Sequence, residues 1–183
     1  MSKRVAVLLA EGFEELEAVT VVDVLRRAGC DVRILSASGA ENVRSAHAVV
    51  VGADALLEQE AGSQFDLVVC PGGMPGATNL AESATARDLL VRTWERGGLV
   101  AAVCAGPLAL HAAGLLKARR FTVYPGNESK IDGGTWTGAD VEEDERVVTS
   151  RGPGTALAFA FRLVELLVGA DMAAELRRRM LIQ

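Results

Sequence analysis

The residue pattern predicts an α/β fold, with a largely parallel sheet covered by helices on both faces. Several strand candidates are continuous apolar runs, Val5 to Leu9 and Leu99 to Val103 among them. That is how strands buried on both faces read, whereas half-buried strands alternate. Amphipathic stretches of helical length separate these runs, as the crossovers between parallel strands require. Three glycine-containing turns follow strands: Glu11-Gly12, Pro71-Gly72-Gly73 and Cys104-Ala105-Gly106. In open α/β sheets ligands bind outside the carboxyl ends of the strands, so a site is expected where these turns meet.

Taken in order, a strand over Val5–Leu9 leads into a helix from about Glu14 to Ala28, ended by Gly29. Val32 to Ala37 reads as a second strand and Ala48 to Val51 as a short one. Asp66 to Cys70 is a further strand, stopped by Pro71-Gly72-Gly73. A helix over about Ala84 to Arg96 ends at Gly97-Gly98, and Leu99 to Val103 is the most apolar strand. Gly106 to Ala113 is the helix behind it. Phe121 to Tyr124 and Arg146 to Thr149 read as strands, and Thr155 to Leu167 and Met172 to Met180 as closing helices. The polar, glycine-rich segment from Pro125 to Glu145 is compatible with a small antiparallel addition or with a loop over the sheet.

With 183 residues, half of them hydrophobic and 23% charged, the chain has the composition of one globular domain spanning residues 1–183. Aromatics make up only 4%, so Val, Leu and Ala must build the core. The net charge is −5, and the one basic run, Arg177-Arg178-Arg179, reads as a solvated helix face. Nucleic acid is therefore not expected as a main partner. No signal-peptide pattern opens the sequence and no apolar run is long enough to span a bilayer, so a cytoplasmic protein without a membrane partner is expected. Three cysteines argue against a disulfide framework. No Cys or His spacing suits a metal, and neither metal nor cofactor is expected.

Cys104 is the leading chemical candidate. It ends an apolar strand and enters a helix through Ala105-Gly106-Pro107, small residues that permit a sharp nucleophile elbow. Pro107 suits a first helical turn. Unpaired N–H groups at a helix start favour thiolate and can lower a cysteine pKa from about 8.5 to roughly 3.5–7.5, which is the expectation for Cys104. A buried cysteine packing as a small hydrophobe is the alternative.

Glu17 shares a helical arc with Val21, Val24 and Ala28, the arc expected to face the sheet. A carboxyl there would have a raised pKa and act as general acid or base; a solvated helix-start glutamate is the alternative. Glycines at Gly72 and Gly73 let backbone N–H groups approach a ligand closely, and the N–H groups of Gly73 and Ala105 are candidates for an oxyanion hole. Gly72-Gly73-Met74-Pro75-Gly76 lacks the spacing of a dinucleotide fingerprint. The turn Ser150-Arg151-Gly152-Pro153-Gly154-Thr155 can hold an anion, contact a partner chain or simply cap a helix. Cys70 reads as core, Cys30 has no evident partner, and His47 and His111 read as non-catalytic.

Seven segments together resemble the DJ-1/ThiJ/PfpI superfamily, in its DJ-1-like branch. They are Arg4 to Ala10, Gly12-Phe-Glu-Glu-Leu-Glu17, Val22 to Gly29, Pro71-Gly-Gly73, Asn79 to Ser83, Ala102-Val-Cys-Ala-Gly-Pro107 and Thr149-Ser-Arg-Gly-Pro-Gly-Thr155. The resemblance implies a flavodoxin-like (Rossmann-like) three-layer sandwich, class I glutamine amidotransferase-like in topology, that forms a homodimer. It implies that Cys104 is the reactive cysteine, Glu17 its partner carboxyl, and Gly73 and Ala105 the backbone donors. It places Arg151 near a dimer interface. Where the DJ-1 member has a histidine before a proline, Tyr124 stands before Pro125 and is a candidate to hold a substrate oxygen. Ala105 stands where the protease-like branch has histidine, which argues against peptidase activity.

The activity implied is glyoxalase or deglycase chemistry without glutathione, on small carbonyl compounds such as methylglyoxal and glyoxal or their adducts. The alternative is a non-enzymatic oxidative-stress sensor or chaperone that works through oxidation of Cys104. Amidotransferase chemistry would need a histidine downstream of the nucleophile, and none follows His111.

Overall fold

The computed structural model describes residues 2–182. The chain runs β1 (Arg4–Leu9), α1 (Glu15–Arg27), β2 (Asp31–Ser36), β3 (Asn42–Arg44), β4 (Val50–Gly52), β5 (Ala55–Leu56) and β6 (Leu67–Cys70). It continues with α2 (Gly76–Glu82), α3 (Ala84–Glu95), β7 (Leu99–Val103), α4 (Pro107–Ala112), β8 (Arg120–Phe121), β9 (Thr135–Trp136), β10 (Val141–Asp144) and β11 (Val147–Ser150). Helices α5 (Ala156–Leu167) and α6 (Ala170–Arg179) close it. Seven strands form one sheet in the order β10-β11-β7-β6-β1-β2-β5, and only the β10–β11 pair is antiparallel. The mostly parallel sheet is thus as expected.

The central strands bury both faces, which is why their sequences do not alternate. From β1, Val5, Val7 and Leu9 enter a core shared with α1, α5 and α6, while Ala6 and Leu8 enter a second core. That second core is built with Leu80 of α2, Leu89 and Leu90 of α3, and Leu110 of α4. The two cores sit on opposite faces of one sheet, giving three layers.

Local chemistry sets the element ends. Gly29 takes a φ of +82° just past α1, where a left-handed residue stops a helix cheaply. Ser83 caps α3 by accepting from the Ala86 N–H at 3.2 Å. Elsewhere the structure departs from the expected pattern. The short strand expected from Ala48 is Val50–Gly52; Ala48 itself turns at a φ of +66°, and β4 pairs with β3 in a hairpin apart from the main sheet. The strand expected to reach Tyr124 ends at Phe121, because beyond it Tyr124 turns to bond Cys104. The Pro125–Glu145 segment supplies β9 and the antiparallel edge strand β10.

Strand order reverses between β1 and β6: from β1 the chain builds outward to β2, and from β6 toward β7 and β11. The crevice at this switch point lies above the ends of β1, β6 and β7, where the three glycine turns sit. Their packing leaves no room for side chains. A Cβ on Gly106 would meet the carbonyl of Cys70 and lie 2.8 Å from that of Val103 and 2.9 Å from that of Pro71. Backbone cannot move aside as a side-chain tip can. Gly106→Ala is therefore expected to cost about 1–3 kcal/mol in urea unfolding. Gly62→Ala, which adds a methyl where nothing lies within 4 Å, is expected to stay within about 0.5 kcal/mol. Equal midpoints for the two variants would contradict this packing.

Candidate active site

Cys104 sits at the end of β7 with a φ of +61°, a conformation few non-glycine residues adopt. Its N–H donates to the Ser150 carbonyl at 2.9 Å, and its carbonyl accepts from the Tyr124 N–H at 2.9 Å. These two bonds hold the turn in its strained conformation and tie it to β11 and to the segment after β8. The side chain leaves the sheet toward α1 and α5, packing against the core on that side. A strained residue held this firmly presents its side chain in one direction, as a nucleophile elbow requires.

Glu17 lies in the first turn of α1 and is fully buried. Its Oε2 accepts from the Gly72 N–H at 2.8 Å, while its Oε1 is buried without a hydrogen-bond partner. The carboxyl lies against the Cys104 thiol, acting on it as a charge and as a hydrogen-bond partner. A Cβ on Gly72 would stand 2.5 Å from Cys104 Cβ, 2.7 Å from Glu17 Oε2 and 2.9 Å from the Ala105 nitrogen. Only glycine leaves space there for the thiol and carboxyl to meet. Gly73, at a φ of +84°, packs its α-carbon on the backbone of Gly12, Phe13 and Glu14. The Glu14 N–H donates to the Gly72 carbonyl at 2.9 Å, locking the entrance of α1 to the same turn.

Burial sets the electrostatics. It pushes the Glu17 carboxyl up to about 7 against the pull of the Gly72 N–H. It also pushes the Cys104 thiol up, to about 12, with the Glu17 charge adding to the rise. The backbone N–H groups of Gly73 and Ala105 act as donors to the sulfur and favour thiolate, but do not outweigh burial. This corrects the expectation of a thiol pKa lowered by the helix start. Helix α4 begins only at Pro107 and has six residues, and the acidic neighbour opposes ionisation. Between about 7 and about 12 the pair therefore carries a single proton.

Of the residues singled out from sequence, the fold brings Cys104, Glu17, Gly72, Gly73 and Ala105 together. Gly72 proves to be the anchor of the carboxyl. Tyr124 joins the site through its backbone, and its half-exposed ring lies over Gly152. Arg151 points elsewhere: its guanidinium donates to the Gly138 carbonyl at 3.3 Å and pairs with Asp140 at 3.5 Å. His111 pairs with Asp132 at 3.4 Å. Cys70 and Cys30 are free and buried, and burial pushes both thiols up, Cys70 to about 12.

Two features escaped the sequence reading. Met74, directly after Gly73, is half exposed. A large apolar residue inside a Gly-Gly-X-Pro-Gly turn was the available signal. His47 meets Glu15 at 3.0 Å and Glu14 at 3.5 Å, close enough that the three groups have metal-ligand spacing. As an ion pair the contact raises the His47 pKa through Glu15. The residues are some thirty apart in the chain, so no sequence spacing announces them.

The DJ-1/PfpI family model matches residues 3–166. The zebrafish (Danio rerio) Parkinson disease protein 7 homolog is 41% identical over 186 residues, covering 99% of this chain and 98% of the relative. The glutathione-independent glyoxalase DJR-1.2 of Caenorhabditis elegans is 36% identical over 162 residues, covering 88% and 86%. The crystal structure of Drosophila melanogaster DJ-1beta superposes with a TM-score of 0.97 at 37% identity, over the whole of both chains. With this coverage, and a flavodoxin-like fold to match, the chain belongs to the DJ-1/PfpI family.

Proposed function

We propose that the protein is a cysteine-dependent, glutathione-independent glyoxalase acting on small α-oxoaldehydes such as methylglyoxal and glyoxal. The observation that carries this reading is the buried Glu17 carboxyl, held by the Gly72 N–H against the thiol of a strained Cys104. The glyoxalase name of the Caenorhabditis elegans relative supports it.

The single proton of the pair allows the first step without outside help. Glu17 carboxylate takes the thiol proton as the sulfur adds to the aldehyde carbon, forming the C–S bond of a hemithioacetal. The aldehyde oxygen gains negative charge within reach of the Gly73 and Ala105 N–H groups and then takes the proton from Glu17. Glu17, ionised again, removes the proton from the former aldehyde carbon and returns it to the neighbouring carbon, while the hydroxyl proton passes from the first oxygen to the second through the enediol. The product is a thioester of the 2-hydroxy acid. Water cleaves the thioester, releasing lactate from methylglyoxal or glycolate from glyoxal and restoring the thiol. Carbonyl adducts of amines or thiols would enter by the same sulfur attack, which is the deglycase form of the reaction.

One observation favours a second reading, in which Cys104 is a redox sensor. The half-buried sulfur is surrounded by two N–H donors and by a carboxyl that is protonated below about 7. A sulfinate, formed by two successive oxygen transfers from peroxide with release of water each time, would be held by all three. A homodimer is also proposed. Leu16 and Val19 of α1 and Val49 and Val50 at the β3–β4 hairpin are exposed apolar residues near the His47–Glu15 contact, an apolar surface suited to a second copy. No helix among the described residues is long and apolar enough to cross a membrane.

Lactate formation from methylglyoxal without glutathione tests the enzyme reading. The parent protein is expected to turn over, and Cys104→Ser and Glu17→Ala to lose about a hundredfold or more. Parent activity no higher than that of Cys104→Ser would sink it, and gain of two oxygen atoms at Cys104 in mild peroxide would then support the sensor.

The acidity of Glu17 makes two further predictions. The first step needs carboxylate, so kcat/KM should climb about tenfold per pH unit up to about 7 and level off above. A profile flat from pH 5 to 8 would be the contrary result. For stability the sign is opposite. The folded-state pKa lies above the ordinary carboxylate value, so the protonated form favours the fold. That contribution is complete below about 4.5 and is lost as pH rises through about 7. Glu17→Gln should therefore gain stability relative to the parent across this window in urea unfolding, and a constant difference would refute the assignment.

A further inference from the structure

Tyr124 is the only tyrosine in the chain, and its placement is unusual for so large a ring. Its N–H is bonded to the Cys104 carbonyl at 2.9 Å, so its backbone is fixed to the elbow itself. Its ring passes over Gly152, where a Cβ would stand 3.2 Å from Cδ2 and 3.7 Å from Cε2. Gly152 begins the turn into α5, and α5 packs on the face of the sheet that holds α1, Glu17 and the Cys104 side chain. The ring is therefore held beside the end of β11, whose Ser150 carbonyl accepts from the Cys104 N–H, and 48% of the residue remains exposed.

The surroundings leave this ring apolar and uncharged. Arg151, which precedes Gly152, is drawn to the Gly138 carbonyl and pairs with Asp140. Among the described residues, the Tyr124 hydroxyl makes no hydrogen bond that would hold the ring for a structural purpose. Met74 follows the donor Gly73 in the chain and is 52% exposed, with its Sδ accepting from the Thr78 hydroxyl at 3.7 Å. Each of these two exposed, uncharged residues is thus tied by its backbone to a group of the thiol site.

We propose that Tyr124 is a specificity-determining residue whose ring selects α-oxoaldehydes carrying an aryl substituent over those carrying methyl. The inference rests on the glyoxalase reading and names its substrate class. A methyl group bound at Cys104 leaves the Tyr124 ring in water, whereas a phenyl group attached to the same dicarbonyl is long enough to stack on it. Offset aromatic stacking adds affinity beyond simple burial. The covalent steps are those already described, with phenylglyoxal giving mandelate in place of lactate.

The test compares kcat/KM for phenylglyoxal and methylglyoxal in the parent, Tyr124→Ala and Tyr124→Phe. The phenylglyoxal-to-methylglyoxal ratio is expected to fall roughly fivefold to tenfold in Tyr124→Ala and to stay within about twofold of the parent in Tyr124→Phe. A ratio unchanged in Tyr124→Ala, or lowered equally in both variants, would overturn the proposal. A second readout does not depend on turnover: protection of Cys104 from iodoacetamide by mandelate compared with lactate. Mandelate should protect at lower concentration in the parent and in Tyr124→Phe, and lose that advantage in Tyr124→Ala. Protection of this kind without any turnover would remove the glyoxalase reading and leave the aryl site standing. Turnover with equal protection by both acids would do the reverse.

Discussion

Everything at this site depends on three strand-end turns that meet backbone to backbone. Gly72 leaves the space in which Cys104 Cβ, Glu17 Oε2 and the Ala105 nitrogen converge, and Gly73 rests on the backbone of Gly12, Phe13 and Glu14. Gly106 does the same against the carbonyls of Cys70, Val103 and Pro71. Contacts of this kind fix positions to a fraction of an ångström, because peptide groups cannot rotate out of the way. They bring a helix, α1, close enough to the ends of β6 and β7 for one of its carboxyls to reach a sulfur on another strand. The parallel sheet makes this possible by placing the ends of β1, β6 and β7 side by side at the switch point.

The chemistry follows from what that proximity excludes. With Glu17 fully buried and only one N–H donated to it, ionising the carboxyl is costly, and ionising the thiol beside it costs more. One proton shared between two such groups is a poised arrangement: either can serve as acid while the other acts as base. An isolated low-pKa thiolate would be a good nucleophile with no proton to deliver. In the proposed reaction the pair supplies both functions within the space of one glycine.

The segment directly after β8 carries no part of the central sheet, yet it is bonded to the elbow. Tyr124 leaves strand conformation, its N–H meets the Cys104 carbonyl, and its ring lies over Gly152. Arg151, which precedes the glycine beneath that ring, is turned outward to Gly138 and Asp140.

By itself the sequence determined the fold class, the principal strands and helices, and the identity of the elbow. These rest on local signals: continuous apolar runs for strands buried on both faces, a glycine past α1, and small residues flanking Cys104. Glu17 was legible as a sheet-facing residue because helical periodicity is a local property too. What periodicity could not supply was the distance from Glu17 to Cys104, 87 positions along the chain, or the role of the Gly72 N–H in holding the carboxyl. The direction of the Cys104 pKa was misread because a helix start is visible in sequence whereas burial and an acidic neighbour are not. The β3–β4 hairpin, the edge strand β10 and the His47–Glu15 contact were likewise decided by tertiary structure. Short pieces with weak intrinsic preference take their form from the surface they pack on, and pair energies depend on separations that only the folded chain defines.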